Sequence, residues 1–449
     1  MTVVDALQTI TLEEIVTELV EVYGFEGLGQ RVPLPCFEGE SSLISAVEFL
    51  RATPRARARV ERAFLFHLRE RRGRDARERD NAKDVRGAAA AVVQATKGVT
   101  SVVQDMHTAI GAFPIITDLA YAAVKGVTGL VGVAVEAVVP TLAPLLGDSA
   151  PGPEREAVLA ALNGVVGDHL VATGNALAIQ MSLRPPLCGL HDGGTLLVLV
   201  HGSCMNDLQW TRAGHDHGRA LLRDFGLTPA YAHYNSGLHT STNGYALATL
   251  LETESAPFRD IIMLGHSMGG LVARAAIHVA EKSDQPRSWR SKLRALVTLG
   301  TPHHGAPLER GGNVFETLLG MTPWSAPLAA LGRVRSEGVT DLRHGNVVEA
   351  DWLDRDRFAL AADRRMPTPL PDGVRCFAIA ATKSGEEAGS EALASDDLVP
   401  VRSALGAHAD PRFALSFTDT RVLRGTNHLE LLSSPAAYAA LAEWLGGEG

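Results

Sequence analysis

Cysteine is scarce in this chain, and the four it has, Cys36, Cys188, Cys204 and Cys376, form no Cys-x-x-Cys pair. That spacing fits neither a zinc ribbon nor a dense disulfide framework, so reduced, unpaired thiols are expected. An excess of positive charge is also lacking. The net charge is -9 and the pI is near 6.0, which gives the molecule as a whole no reason to seek polyanions and makes nucleic acid an unexpected partner. The opening residues, MTVVDALQTITLEEIVTELVEVYG, carry acids where a secretion signal needs basic residues, and their apolar positions recur at helical spacing. A mature cytoplasmic protein is the expectation. Internal repeats are missing as well. What remains is an ordinary globular composition, 46% hydrophobic and 21% charged over 449 residues, which excludes disorder as the main state and has room for two or three domains.

Two kinds of chain meet near Arg184-Pro185-Pro186 and the following GLHDGG. Residues 1–185 read as an all-helical N-terminal domain, with long Ala, Val, Leu, Glu and Arg runs and few alternations of strand type. Within it, Arg55 to Arg86 holds twelve Lys or Arg against six Asp or Glu. Interleaved signs favour a solvated helix; peripheral contact with an anionic membrane surface is the competing reading. Gly126 to Leu146 carries only Glu136 as a charge and is long enough to be tested as a membrane span. The central Glu, the prolines and the many small residues argue for a buried or interfacial helix instead.

After the boundary, short β-branched runs alternate with helical stretches, the pattern of a parallel sheet with crossover helices. TLLVLV at 195–200 is a continuous apolar run ending at His201-Gly202, and DIIML at 260–264 leads directly into Gly265-His266-Ser267-Met268-Gly269-Gly270 and an Ala-Val-Arg helix. A serine on a sharp strand-to-helix turn needs small neighbours, because a side chain at Gly265 or Gly269 would collide with strand or helix. Such a turn also sets the N–H of Met268 at a helix start, where it can donate to a developing oxyanion. Serine needs a base to take its proton, and the base needs an acid. In an α/β-hydrolase both follow the nucleophile in the chain. VRCFAIAAT at 374–382 is a plausible later strand, and the loop after it offers Asp396 or Asp397 as the acid. Beyond that pair lie His408, in a connecting segment, and His428, between the extended run TRVLRG and the closing helix PAAYAALAEWL. His428 is the base by position.

VLVHG at 198–202, GHSMGG at 265–270, LGTPHHG at 299–305, SDDLVPV at 395–401 and NHLELLS at 427–433 together resemble the α/β-hydrolase superfamily, in particular bacterial serine esterases and lipases and the PGAP1-like hydrolases. The resemblance covers about residues 190–449. It implies a mostly parallel sheet flanked by helices, a Ser-His-Asp triad, an acyl-enzyme intermediate and no cofactor. It gives Ser267 the nucleophile role and His428 the base. Acid loops in similar lipases often read Ser/Asn-Asp-Gly-x-Val, which puts the acid at Asp396, with Asp397 where glycine is usual. The residue after the His-Gly pair, Ser203, would supply the second oxyanion N–H beside Met268.

No metal is expected. His303-His304 lacks a placed acidic ligand, and His215-Asp216-His217, at a helix start, is an i, i+2 pair whose rings should diverge. Cys204 reads as a bystander. Residues 306–373 exceed what a minimal hydrolase needs and read as a lid over the site, with Met321 and Trp324 as acyl contacts. The expected activity is hydrolysis of carboxylic esters with apolar acyl chains, on a small-molecule or lipid substrate. A thioesterase, amidase or acyltransferase would use the same triad. A helical membrane or partner scaffold with an esterase attached is the alternative of another class.

Overall fold

The computed structural model describes residues 10–32, 34–37, 42–57, 59–61, 63–64, 67, 153–185, 193–282, 287–306, 335–355, 363–384 and 395–446. The expected helix of 126–146, most of the basic stretch that ends at Arg86, and the acyl contacts Met321 and Trp324 lie outside these residues. No helix among the described residues is long and apolar enough to cross a membrane.

Local signals start the N-terminal helices. Helix α1 (Leu12–Arg31) opens with a capping box in which Thr11 accepts from the Glu14 N–H and the Glu14 side chain accepts from Thr11 N–H. Gly24, at φ +67, splits the helix into two runs. Helix α2 (Leu43–Ala52) is capped likewise by Ser42 and Ser45. Leu12, Ile15, Val16 and Leu19, spaced by three and four residues, meet Val47, Leu50, Val60 and Phe64 in a core of their own.

The second half is built on a sheet of seven strands among the described residues: β1 (Ser182–Arg184), β2 (Thr195–Val200), β3 (Thr228–His233), β4 (Asp260–His266), β5 (Leu293–Leu299), β6 (Arg375–Thr382) and β7 (Asp419–Arg424). Their order is β1-β3-β2-β4-β5-β6-β7. Only β1 runs antiparallel to its neighbour; the other pairs are parallel. The continuous apolar runs have the expected cause, since both faces are covered. Leu196, Val198 and Val200 enter a core with the helices Thr240–Glu254 and Met268–Lys282, while Leu197 and Leu199 enter the opposite core with His217–Phe225 and Pro435–Leu445. Full burial of one such leucine contributes roughly 1.5–3 kcal/mol. This is the α/β-hydrolase fold: parallel strands, crossover helices on both faces, and a tight turn from β4 into a helix.

Residues on the N-terminal side of the expected boundary also contribute to this body. Helix α3 (Pro153–Ala172) lays Gly164 and Gly167 against the loops at the strand ends. A Cβ at Gly164 would come 2.3 Å from Cys204 Sγ, and one at Gly167 1.9 Å from Asn235 Oδ1, so only glycine admits that approach. Strand β1 then pairs with β3 at the sheet edge, Leu183 opposite Ala232. The described part of 306–373 is fastened to the body as well. Asp341 accepts from Thr240 N–H and Asn346 Nδ2, and Trp352 stacks on His239 at 3.8 Å between ring centroids.

Candidate active site

Ser267 stands between β4 and the helix α4 (Met268–Lys282) in the left-handed region, φ +54. A serine there is strained by roughly 1 kcal/mol or more. Packing holds it: the Ser267 N–H donates to Leu299 O at 2.8 Å, and Gly270 N–H donates back to Ser267 O at 3.1 Å. Gly269 is forced by the approach of β2, because a Cβ there would lie 2.0 Å from Val200 O. A Cβ on Gly202 would lie 3.0 Å from that of Ser267, which puts the His201-Gly202 turn against the serine. Met268 opens the helix, and the first N–H groups of a helix have no acceptor within it. Ser203 follows the turn, fully buried, on a loop pinned by the bond from Cys204 N–H to Ser236 Oγ at 2.9 Å.

His428 and Asp396 meet as a buried pair, Nδ1 donating to Oδ2 at 2.7 Å. The other carboxylate oxygen accepts from the N–H groups of Leu398 and Val399, at 3.0 and 2.8 Å, and His428 N–H donates to Asp396 O at 3.1 Å. The Asp396 carboxylate thus accepts three hydrogen bonds, one of which orients the imidazole. Asp397 points elsewhere, half exposed and paired with Lys383 Nζ at 2.8 Å. His428 Nε2 is buried with no hydrogen-bond partner among the described residues. The Ser267 turn and the His428 loop are joined by His266, whose Nε2–H donates to His428 O at 3.1 Å and whose ring lies 4.8 Å from that of His428. Burial, then the neighbouring His428, push the His266 pKa well below its ordinary value, so it serves as a neutral donor. His408 lies away from this group, bonded within its own loop to Asp410.

One of the two histidine pairs departs from expectation. His215 and His217 do not diverge: their rings bond at 2.8 Å, because His215 precedes the N-cap Asp216 and is not on the helix His217–Phe225. His217 donates onward to Leu431 O at 2.9 Å, and burial lowers its pKa to about 4. His303 accepts from Arg274 at 3.2 Å and donates to Thr298, with its pKa driven down by burial and by Arg274. One group of candidate metal ligands was not foreseen. Glu156 on α3, Asp207 after the Ser203 loop and His233 on β3 converge, their ligand atoms within 4.8 Å of one another. Arg184 of β1 already donates to both carboxylates, at 2.8 and 3.2 Å. The guanidinium takes the place a cation would hold, and the cluster ties α3 and β1 to the segment that follows the Ser203 loop. Sequence reasoning had no signal for it, because its members are spread over 78 residues in separate elements.

Residues 231–366 match the family described as PGAP1-like alpha/beta domain, and residues 4–65 match the family described as DNA-binding protein VF530. A GPI inositol-deacylase of Debaryomyces hansenii is 33% identical over 60 residues, which are 13% of this chain and 5% of that protein. The chain therefore spans a small fraction of that relative's length. Among solved structures, the mature lipase BlEst2 of Bacillus licheniformis is similar at 18% identity and a TM-score of 0.37, over 59% of this chain and 98% of the other. Aspergillus fumigatus lipase B is similar at 16% identity and a TM-score of 0.36, over 61% of this chain and 57% of the other. The second half of the chain has the α/β-hydrolase fold, and residues 231–366 within it match the PGAP1-like model.

Proposed function

We propose that the domain is a metal-independent serine hydrolase of carboxylic esters, acting through Ser267, His428 and Asp396. The observation that carries the reading is a strained serine on the β4 turn beside a buried His428–Asp396 pair whose Nε2 has no hydrogen-bond partner among the described residues. In the proposed reaction, Ser267 Oγ attacks the ester carbonyl as His428 Nε2 takes its proton. The oxyanion receives the N–H groups of Ser203 and Met268, two donors worth about 3–4 kcal/mol each in comparable sites. The leaving alcohol takes the proton from His428. Water, activated by the same imidazole, then releases the acyl group from Ser267 as a carboxylate. Asp396 keeps the imidazole in the tautomer that leaves Nε2 open and stabilises the imidazolium.

Apolar acyl esters, with residues of 306–373 as a lid and Met321 and Trp324 among the acyl contacts, are the substrate part of the proposal. Nucleic acid is left out, in keeping with the net charge of -9. A cytoplasmic location, with peripheral membrane contact through the N-terminal half, belongs to the same reading. Hydrolysis of p-nitrophenyl esters from acetate to palmitate tests the substrate class, with the corresponding thioesters and anilides in parallel. Faster turnover of oxygen esters, with an optimum at medium or long chains, is expected. A clear preference for thioesters or anilides would move the assignment to a thioesterase or amidase.

A further inference from the structure

A cleft of about 140 Å³ opens between the N-terminal helices and the outer face of the hydrolase domain, away from Ser267. Arg31 and Arg59 line one wall, and Arg219 and Arg223 of the helix His217–Phe225 line the other. In a chain of net charge -9, four guanidinium groups around one small space are a local reversal of sign. Arg59 is half-buried and forms no hydrogen bond or ion pair with the described residues, and burial alone lowers its pKa below the ordinary value. A desolvated, unpaired cation is costly. Arg223 is paired with Asp224 at 2.6 and 2.7 Å, and Arg31 lies over the Tyr23 ring at 4.2 Å. The lining carboxylate, Asp216, is committed: it accepts from Tyr231 Oη at 2.5 Å, Thr211 Oγ1 at 2.9 Å and Arg219 N–H at 3.1 Å. Leucines from both walls and the Tyr23 ring supply apolar surface beside the cations.

We propose that this cleft binds a small organic phosphate, its phosphate held by Arg59 with Arg31 and Arg219 and its body against the apolar walls. Planar guanidinium groups are matched to a phosphate's oxygens, and the confined volume favours a single headgroup over a polymer. The site is independent of the catalytic assignment, since none of its residues touches the nucleophile turn. The test is calorimetric titration of the full chain at low ionic strength with phenyl phosphate and with inorganic phosphate, and co-sedimentation with phosphatidylcholine vesicles containing phosphatidic acid. Saturable binding of phenyl phosphate is expected, weakened about tenfold or more in Arg59→Gln and partly restored in Arg59→Lys, with ester turnover unchanged in both. If inorganic phosphate binds as tightly, the phosphate alone is the ligand; if only vesicles bind, and with the same dependence on Arg59, the source is a lipid headgroup. Absence of saturable binding to all three probes, or binding indifferent to Arg59→Gln, overturns the proposal.

Discussion

The N-terminal helices and the strand ends of the hydrolase domain handle polar groups in opposite ways. On α1 and α2 the capping groups are exposed and satisfied within one turn, as in the pairs Thr11–Glu14 and Ser42–Ser45. At the strand ends they are buried and partnered across long stretches of chain, as in His428–Asp396, His266–His428 and His217–Leu431. There the backbone is also strained, with Cys204, Ser267 and Asp397 at positive φ. The difference teaches where stability has been given up for chemistry. Local pairs stabilise their own helix by small amounts, whereas the long-range pairs hold a geometry that nothing local would choose.

The comparison breaks most sharply at the acid loop. Asp396→Asn removes the charge that fixes the His428 tautomer, and ester turnover should fall on the order of 10⁴-fold with the melting temperature little changed. Asp397→Asn, in the exposed neighbour, should stay within about twofold. Equal losses in the two variants would show that the pair seen at 2.7 Å is not the working one.

Acid should act next, on the buried side of the comparison. His217 has its pKa lowered to about 4 and His201 to about 3, both chiefly by burial. Such a histidine is neutral in the folded state and protonated when unfolded between its folded value and about 6.5. Unfolding therefore takes up protons there, and stability falls as pH falls from about 6.5 to about 4. For His217 the loss amounts to roughly 3 kcal/mol. Denaturant unfolding followed against pH should be shallower in His217→Gln by about 1.4 kcal/mol per pH unit across that window. An unchanged slope would mean that His217 is charged when folded.

The smallest effect belongs to the helices. Thr11→Ala removes one cap and should cost about 1 kcal/mol in the unfolding of the N-terminal helices, with ester turnover unaffected. A fall in turnover would show that the N-terminal helices act on the site directly.

Legibility in the sequence follows the same divide. The strands TLLVLV and DIIML, the serine turn and the closing helix could be read because both-face burial and tight turns leave marks within a few residues. Five motifs in order also implied the fold. The resemblance put the acid at Asp396, but no local pattern could show it, since which carboxylate faces His428 depends on how the loop turns at Asp397, φ +86. Strand β1, of three residues, is too short to carry a period, and α3, read with the helical half, packs its glycines on Cys204 and Asn235. The Arg184–Glu156–Asp207 cluster and the meeting of His215 with His217 arise only from tertiary contact.

The central claim, that the strained serine is a nucleophile activated by the buried pair, is tested most directly by labelling with a fluorophosphonate and locating the adduct by peptide mass spectrometry. A single adduct on Ser267 is predicted in the wild type, lost in Ser267→Ala and slowed by orders of magnitude in Asp396→Asn. An adduct on another residue, or labelling that persists in Ser267→Ala, would contradict the account.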